Sequence, residues 1–378
     1  MKILMLNYEF PPVGGGASPV TFQLSRHLVQ LGHHVDVVTM RYRDCPKFES
    51  VEGINVYRTP AWRKKPDICR IHEMATYLPG ALGKTLRLTR KIEHDIIHCH
   101  FIIPTGPLAG LVSILTGIPY LITCHGSDVP GYNPDRFSRA HKLLMPAWRK
   151  LVSQTPLLVS PSASLIELIR KHAPSTEVSL VPNGINLQTF HPDLKEKSIL
   201  LCSRILPRKG FQYALEAIDK IKLDWPVHII GDGPYLAELK RMAENNSAPI
   251  TFWGWLDQKD PRFHQLYEAA SIFIFPSEAE NFPTVLLEAM SAGMAVITST
   301  AGGCPEVVGD AGLLVEPRNS GAIAEQLEKL VNSEDLRQDL SQAARQRAET
   351  FSWSFVTQKY LDCYQRVLQN KVAPKNID

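Results

Sequence analysis

The sequence predicts an α/β protein of two domains in series, each a parallel sheet covered by helices. Three observations predict it. Apolar runs of strand length alternate with amphipathic runs of helix length along most of the chain. The alternation opens twice, at Lys2-Ile-Leu-Met-Leu-Asn7 and again at Ser198-Ile-Leu-Leu-Cys-Ser203, and each time leads into a glycine- or lysine-bearing turn before a helix. At 378 residues the chain is too long for one ordinary core and suits two.

The first strand, Lys2–Asn7, is followed by Pro11-Pro-Val-Gly-Gly-Gly16, a helix capped by Ser18-Pro19 and stopped by Gly32, and the strand Val35–Thr39. Such a β-α-β unit with a glycine-rich first turn lets backbone approach a pyrophosphate closely. Gly14, Gly15 and Gly16 are adjacent instead of spaced Gly-x-Gly-x-x-Gly, and the second strand runs into Thr39-Met-Arg instead of an acidic residue, so a nicotinamide dinucleotide is weakly supported. Residues 61–93 are basic and less regular; Lys84-Thr-Leu-Arg-Leu-Thr-Arg-Lys-Ile-Glu93 predicts a helix, and the spacing of Leu86 and Leu88 favours a solvated helix over a membrane-surface one. Strands at Asp95–His100, Tyr120–Cys124, Leu157–Ser160 and Val178–Val181 extend a parallel sheet. His98-Cys99-His100 continues a strand, and the strand reading outweighs a metal site.

Val181-Pro-Asn-Gly-Ile185 reads as a hinge, dividing the chain into domains at 1–183 and 184–353. The second series has a helix at Phe211–Ile221, strands at Val227–Ile230, Ile250–Leu256, Ile272–Pro276 and Val296–Ser299, and turns at Gly231-Asp-Gly-Pro234 and Ala301-Gly-Gly-Cys-Pro-Glu306. Helices at Ser320–Asn332 and Asp335–Thr350 follow. Phe351-Ser-Trp-Ser354 breaks the pattern, and a final helix over 354–370 is expected to run back to the first domain.

Composition is that of a globular protein, 44% hydrophobic and 21% charged, and no apolar run approaches the ~20 residues of a membrane span. The apolar N-terminus is short, contains Glu9 and lacks a small-residue cleavage site, so a cytoplasmic location is expected. The seven cysteines form no Cys-x-x-Cys pair, which favours reduced thiols over disulfides or zinc. Residues 1–185 hold 21 basic against 13 acidic side chains, and the remainder 20 against 25. The basic half is expected to meet something anionic, such as the inner face of a cell membrane or a phosphate-linked acceptor; no feature points to nucleic acid.

The chemistry concentrates in Ser277-Glu-Ala-Glu-Asn-Phe-Pro-Thr-Val-Leu-Leu-Glu-Ala-Met-Ser-Ala-Gly293, a strand-to-helix crossing. Pro283 suits the first helical position and Gly293 the position past the end. The N–H groups of Thr284, Val285 and Leu286 are then expected to be unpaired and to form, with the helix dipole, a site for phosphate. Glu280 in the loop and Glu288 one turn into the helix flank that site. Carboxylates repel phosphate, so hydroxyl groups on either side of it are their natural partners. A nucleoside diphosphate sugar has that layout. Arg204 and Lys209, at the strand end and before the next helix, suit the phosphates. His125, in His125-Gly-Ser-Asp128, follows a strand at its carboxyl end, where open α/β sheets bind ligands.

With these residues placed, the chain resembles the retaining glycosyltransferases of the GT-B architecture, in particular glycosyltransferase family 4. The motifs in order are Gly14-Gly-Gly16, His125-Gly-Ser-Asp128, Pro182-Asn-Gly-Ile185, Ser203-Arg204, Lys209-Gly210, Gly231-Asp-Gly-Pro234, Glu280-Asn-Phe282 with Leu287-Glu288-Ala-Met290, and Gly302-Gly303 with Pro305-Glu306. The resemblance implies two Rossmann-like domains facing across a cleft, with the C-terminal helix crossing back. It implies a donor held mainly by the second domain, with Glu288 on the ribose, Arg204 and Lys209 on the diphosphate, and Glu280 on the sugar. Asn281, Phe282, Pro283, Thr284 and Val285 would meet sugar and phosphate, Gly15 and Gly16 would close on the diphosphate, and His125 would approach the transferred sugar. Asp128, Asn183, Gly231 and Leu256 belong to the same implied substrate-binding set. Asn281 and Pro283 depart from the usual glycine-rich turn, which obscures the sugar's identity.

The expected activity is hexose transfer from a UDP- or GDP-linked sugar to a glycan or lipid-linked acceptor, with retention of configuration and no cofactor. No Asp-x-Asp occurs in the chain, which agrees with metal-independent transfer. A nucleotide-sugar epimerase of the same architecture and a non-catalytic sugar-nucleotide-binding protein are the alternatives.

Overall fold

In the first strand, β1 (Lys2–Leu6), Ile3 and Met5 enter one apolar core and Leu4 and Leu6 another. A strand covered on both faces reads as an unbroken apolar run, as this one does. The computed structural model describes residues 1–66, 68–132, 138–191 and 195–372, without the side chains of 138–142, 371 and 372. The chain forms two compact units, Met1–Pro182 with the last helix, and Asn183–Ser352.

In the first unit β1 is followed by α1 (Ala17–Gln30), β2 (His34–Met40), β3 (Phe48–Val51), β4 (Ile54–Thr59), α2 (Ile71–Lys91), β5 (Ile96–His100), α3 (Thr105–Thr116), β6 (Tyr120–Thr123), α4 (Ser138–Gln154), β7 (Leu158–Ser160), α5 (Ala163–His172) and β8 (Val178–Leu180). The sheet order is β3-β4-β2-β1-β5-β6-β7-β8. It is parallel except for the β3–β4 hairpin, which the sequence reading did not foresee. Glu52 and Gly53 turn that hairpin with φ of 51° and 81°, the left-handed pair that matches strand twist.

Two helices differ from expectation. α1 begins at Ala17 with Gly16 at its cap; Ser18 lies inside the first turn, and its Oγ donates to the Val13 carbonyl at 2.7 Å, securing the glycine turn. α2 starts at Ile71, three turns before the expected helix, and is packed against the sheet instead of solvated. Met74, Tyr77, Ala81, Thr85 and Leu88 form its buried stripe, spaced three and four residues apart, and the Tyr77 hydroxyl donates to Val38 O at 2.8 Å. Pro79, Gly80 and Gly83 hid the stripe, because all three weigh against a helix interior when read locally.

The second unit runs β9 (Glu196–Cys202), α6 (Phe211–Lys220), β10 (Val227–Ile230), α7 (Leu236–Ala243), β11 (Ile250–Gly254), α8 (Pro261–Ala269), β12 (Ala270–Phe275), α9 (Thr284–Ser291), β13 (Ala295–Ser299), α10 (Cys304–Val308), β14 (Leu313–Val315), α11 (Ser320–Asn332) and α12 (Glu334–Glu349). Its six strands are all parallel, in the order β11-β10-β9-β12-β13-β14. The chain builds outward from β9 on one side and then returns to build from β12 on the other. The strand order therefore reverses between β9 and β12.

α13 (Trp353–Val372) packs in the first unit. Its Tyr360 and Tyr364 are buried in the core that also holds Ile3, Met5 and the apolar face of α1, and Trp353 stacks on His27.

The buried stripe of α2 yields a test. Tyr77→Ala is expected to lower stability by about 3–5 kcal/mol, as for a large aromatic removed from a core. Chemical denaturation with a midpoint equal to the wild type would show that α2 does not hold the sheet.

Candidate active site

Loops that follow β9 and β12 flank the point where strand order reverses, and ligands of open α/β sheets bind at such points beyond the carboxyl ends of the strands. Ser203 and Arg204 follow β9 directly, with Arg204 exposed. A short 3-10 turn, Pro207–Lys209, then ends at Gly210, whose φ is 77°. A Cβ built at Gly210 would lie 2.2 Å from the Pro276 carbonyl oxygen. Only glycine lets the turn after β9 lie against the end of β12. That contact brings Lys209 to Glu280.

Lys209 Nζ makes an ion pair with Glu280 Oε1, and both side chains are largely buried. The same oxygen accepts the Ser277 hydroxyl at 2.7 Å, and Lys209 lies 5.3 Å from the centre of the Phe275 ring. The loop is tied at several points: Glu278 N donates to Arg208 O at 2.8 Å, Gly303 N to Glu280 O at 2.9 Å, and Ser299 Oγ to Ser277 O. A Cβ at Gly303 would fall 1.6 Å from Asn281 O, so the second glycine turn carries the Glu280–Asn281 backbone directly. Arg318 pairs with Glu278 at 2.6 Å on the outer side.

Glu288 is not a solvated helix carboxylate. It is 8% exposed; Gln258 Nε2 donates to its Oε1 at 2.7 Å and the Tyr267 hydroxyl to its Oε2 at 3.3 Å. Burial pushes its carboxyl up to about 7 against the pull of those two donors. Gln258 and Tyr267 are partners that sequence reasoning missed. Tyr267 reads locally as one more core aromatic on α8, stacked on Phe190 at 5.0 Å, and nothing local ties it to a carboxylate 21 residues away.

The start of α9 differs in detail from expectation. Pro283 is the cap residue, with φ −73° and ψ 110°, and Thr284 is the first helical residue. Leu286 N bonds back to Pro283 O at 3.2 Å, so it is paired; the N–H groups of Thr284 and Val285 have no acceptor among the described residues. Asn183 Nδ2 donates to Phe282 O at 3.2 Å, which places Asn183 on the loop instead of in open solvent. The Phe282 ring packs edge-on against Phe351 at 5.5 Å, and the Leu256 side chain is also core. Any ligand contact by these two runs through backbone. The exposed aromatic after β11 is Trp255, at 67%. Gly231 donates to Gly254 O at 2.8 Å, and its own Cα passes so near Ser203 O that a Cβ would sit 1.9 Å from it.

In the first unit, Gly14 alone of the glycine triplet is sterically required: a Cβ there would lie 2.7 Å from the Cβ atoms of Glu9 and Ser18. Gly15 and Gly16 face open space, and Gly15 N donates to Glu9 Oε2 at 3.0 Å. His125 lies beyond β6. Its Nε2 is 3.0 Å from His100 Nδ1, its ring packs on Phe101, and its Nδ1 makes no hydrogen bond among the described residues. Burial lowers its pKa to about 3, so the ring is neutral at ordinary pH. Asp128 holds the loop, accepting His125 N at 2.9 Å and Ile102 N at 2.7 Å; burial raises its carboxyl to about 6. Both oxygens serve the backbone.

His98 and His100 share a face of β5 and stack at 4.3 Å, while Cys99 faces the other core. His98 bonds to the Tyr364 hydroxyl at 2.7 Å and to Thr123 Oγ1 at 2.8 Å. No group of three ligating side chains converges among the described residues. His100, the last residue of β5, stands behind His125, a contact between strand ends that no local pattern shows.

Residues 14–189 match the family model Glycosyltransferase Family 4, and residues 186–347 match Glycosyl transferases group 1. Among curated relatives, an uncharacterized glycosyltransferase of Methanocaldococcus jannaschii is 27% identical over 98% of this chain and 99% of its own length. The N-acetyl-alpha-D-glucosaminyl L-malate synthase of Bacillus anthracis is 25% identical over 95% of this chain and 96% of its own. Among solved structures, the sucrose-phosphate synthase of Thermosynechococcus elongatus superposes with a TM-score of 0.83 at 21% identity, covering 98% of this chain and 100% of that one. Anabaena HepE in complex with UDP-glucose gives 0.75 at 17% identity, covering 97% and 99%. Together the two models span residues 14–347, and the chain is a glycosyltransferase of the GT-B fold.

Two outcomes test the geometry. Gly303→Ala is expected to displace the Glu280–Asn281 backbone and reduce turnover roughly a hundredfold, the scale on which small misplacements act; unchanged steady-state kinetics would refute the role of that contact. Glu288, mostly protonated below its raised pKa, accepts hydroxyl hydrogens well only when ionised. Donor affinity is therefore expected to weaken as pH falls below about 7, approaching roughly tenfold per unit. Calorimetry across pH should show this slope in the wild type and none in Glu288→Gln.

Proposed function

We propose that the protein transfers a hexose from a nucleoside diphosphate sugar, UDP- or GDP-linked, to a glycan or lipid-linked acceptor, with retention of configuration and without a metal. The observation that carries this reading is the Lys209–Glu280 pair at the strand-order reversal, beside the two open N–H groups of α9. A bound donor gives each group a separate task. Lys209 turns to the diphosphate together with Arg204, Glu280 receives sugar hydroxyls, and Glu288 receives those of the ribose. The UDP and UDP-glucose complexes of Anabaena HepE support a nucleotide-sugar donor.

Breaking the bond between the anomeric carbon and phosphate oxygen develops negative charge on the diphosphate. Fixed cations and helix N–H groups lower that barrier most when they need no rearrangement. Arg204, Lys209 and the start of α9 supply charge of the right sign for the work otherwise done by a metal. The acceptor hydroxyl attacks from the face the diphosphate leaves, forming the new C–O bond, and its proton passes to the departing phosphate oxygen. His125, with a pKa near 3, is a weak proton acceptor at neutral pH, which favours phosphate as the base. In this scheme His125 serves the sugar as a neutral polar group, and the Gly15-Gly16 turn, with no side chain in the way, lets the diphosphate approach closely.

Glu280→Gln and Lys209→Ala are each expected to lower kcat by roughly a hundredfold or more, the scale of losing one electrostatic contact to a transition state. Transfer should survive EDTA, and the product anomer, read by NMR, should match the donor. Inversion, metal-dependent recovery of rate, or conversion of donor to an epimer without acceptor would each overturn the reading.

A further inference from the structure

The first unit holds a cavity of about 460 Å³ that the donor chemistry does not use. Ile71, Met74 and Leu78 of α2 form one wall, Leu144 and Leu151 of α4 another, and Pro107 of α3 joins them. Its inner end is made by residues just past strand ends: Tyr8 after β1, Ile103 after β5, and Ser127-Asp128 in the loop that carries His125. The cavity thus reaches the carboxyl side of the sheet, where Ser127 and Asp128 of the His125 loop line it. Its size is that of a small-molecule site, and its walls are apolar with few polar groups, as such sites are.

Solvent reaches these walls. Ile71 is 48% and Leu144 36% exposed, and the neighbouring Leu143 is 81% exposed. Lys150 and Asp128 both line the cavity, and the Asp128 carboxylate is occupied by the backbone N–H groups of Ile102 and His125. On α4, Arg149 and Lys150 are exposed and the described side chains include no acidic residue. The single acid of α2, Glu73, is occupied by the backbone N–H groups of Arg70 and Lys64. An apolar slot edged with cations complements a molecule with an apolar chain and an anionic head.

We propose that this cavity takes the apolar chain of an amphiphilic acceptor whose phosphate-bearing head lies against the α4 cations, directing its hydroxyl toward the His125 loop. The inference rests on the transferase reading above and narrows its acceptor to an anionic lipid. It is tested on the full chain with monomeric alkyl phosphates, from butyl to tetradecyl, followed by calorimetry below their micelle concentrations. Affinity is expected to tighten roughly fourfold per methylene buried and then to level off when the chain fills the cavity. Ala75→Glu and Ala147→Glu place a charge at two cavity-facing positions that are solvent-accessible, so the fold tolerates them. Each is expected to weaken decyl phosphate binding by roughly tenfold or more while the thermal shift given by nucleotide sugars stays unchanged. Lys150→Glu should weaken decyl phosphate more than decanol.

Chain-length-independent binding, or variants that bind as the wild type does, would overturn the proposal. So would binding to phosphatidylglycerol vesicles without binding of monomeric alkyl phosphate, which means surface attachment alone. If a glutamate variant fails to fold, the chain-length series in the wild type decides. A wild type that binds alkyl phosphates but gives no shift with any nucleotide sugar would refute the transferase reading and leave the cavity assignment intact.

Discussion

Close backbone approach between the turns of the second unit is the constraint on which the candidate active site depends. The turn after β9 meets the end of β12 at Gly210, and the turn after β13 meets the Glu280–Asn281 backbone at Gly303. A side chain at either place would occupy space already held by a carbonyl oxygen. Glycine lets the loops close to hydrogen-bond distance, so Lys209 and Glu280 meet although they are 71 residues apart. The order of strands does the rest, because β9 and β12 are neighbours across the reversal and their loops have nowhere else to go.

Burial then sets the charge state of the site. Glu288 is enclosed by Tyr267 and Gln258, and its carboxyl rises to about 7. His125 is enclosed by His100 and Phe101, and its imidazole falls to about 3. In both cases desolvation favours the neutral form. The second unit therefore offers a carboxylate that titrates in the working range, and the first a histidine that does not.

The first unit shows why a helix read from its neighbours alone is misjudged. Pro79, Gly80 and Gly83 discourage α2 locally, yet Tyr77, Ala81 and Leu88 fall on one face and bury there. Tertiary packing outweighs propensity over that length. The β3–β4 hairpin is likewise a short edge, secured by pairing of β4 with β2 and by the cross-strand Phe48–Tyr57 ring contact.

The sequence by itself determined the fold class and eleven of the fourteen strands among the described residues, and it singled out the candidate site residues, because strand length, apolar runs and motif order are local and survive without coordinates. Lys209, Glu280 and Glu288 could all be singled out that way. Tertiary structure alone decided who meets whom: that Lys209 pairs with Glu280, that Gln258 and Tyr267 close on Glu288, that His100 backs His125, and that Phe282 and Leu256 turn their side chains into the core. These contacts join residues far apart in the chain. Their energies come from desolvation and packing, which no local pattern of residue types records.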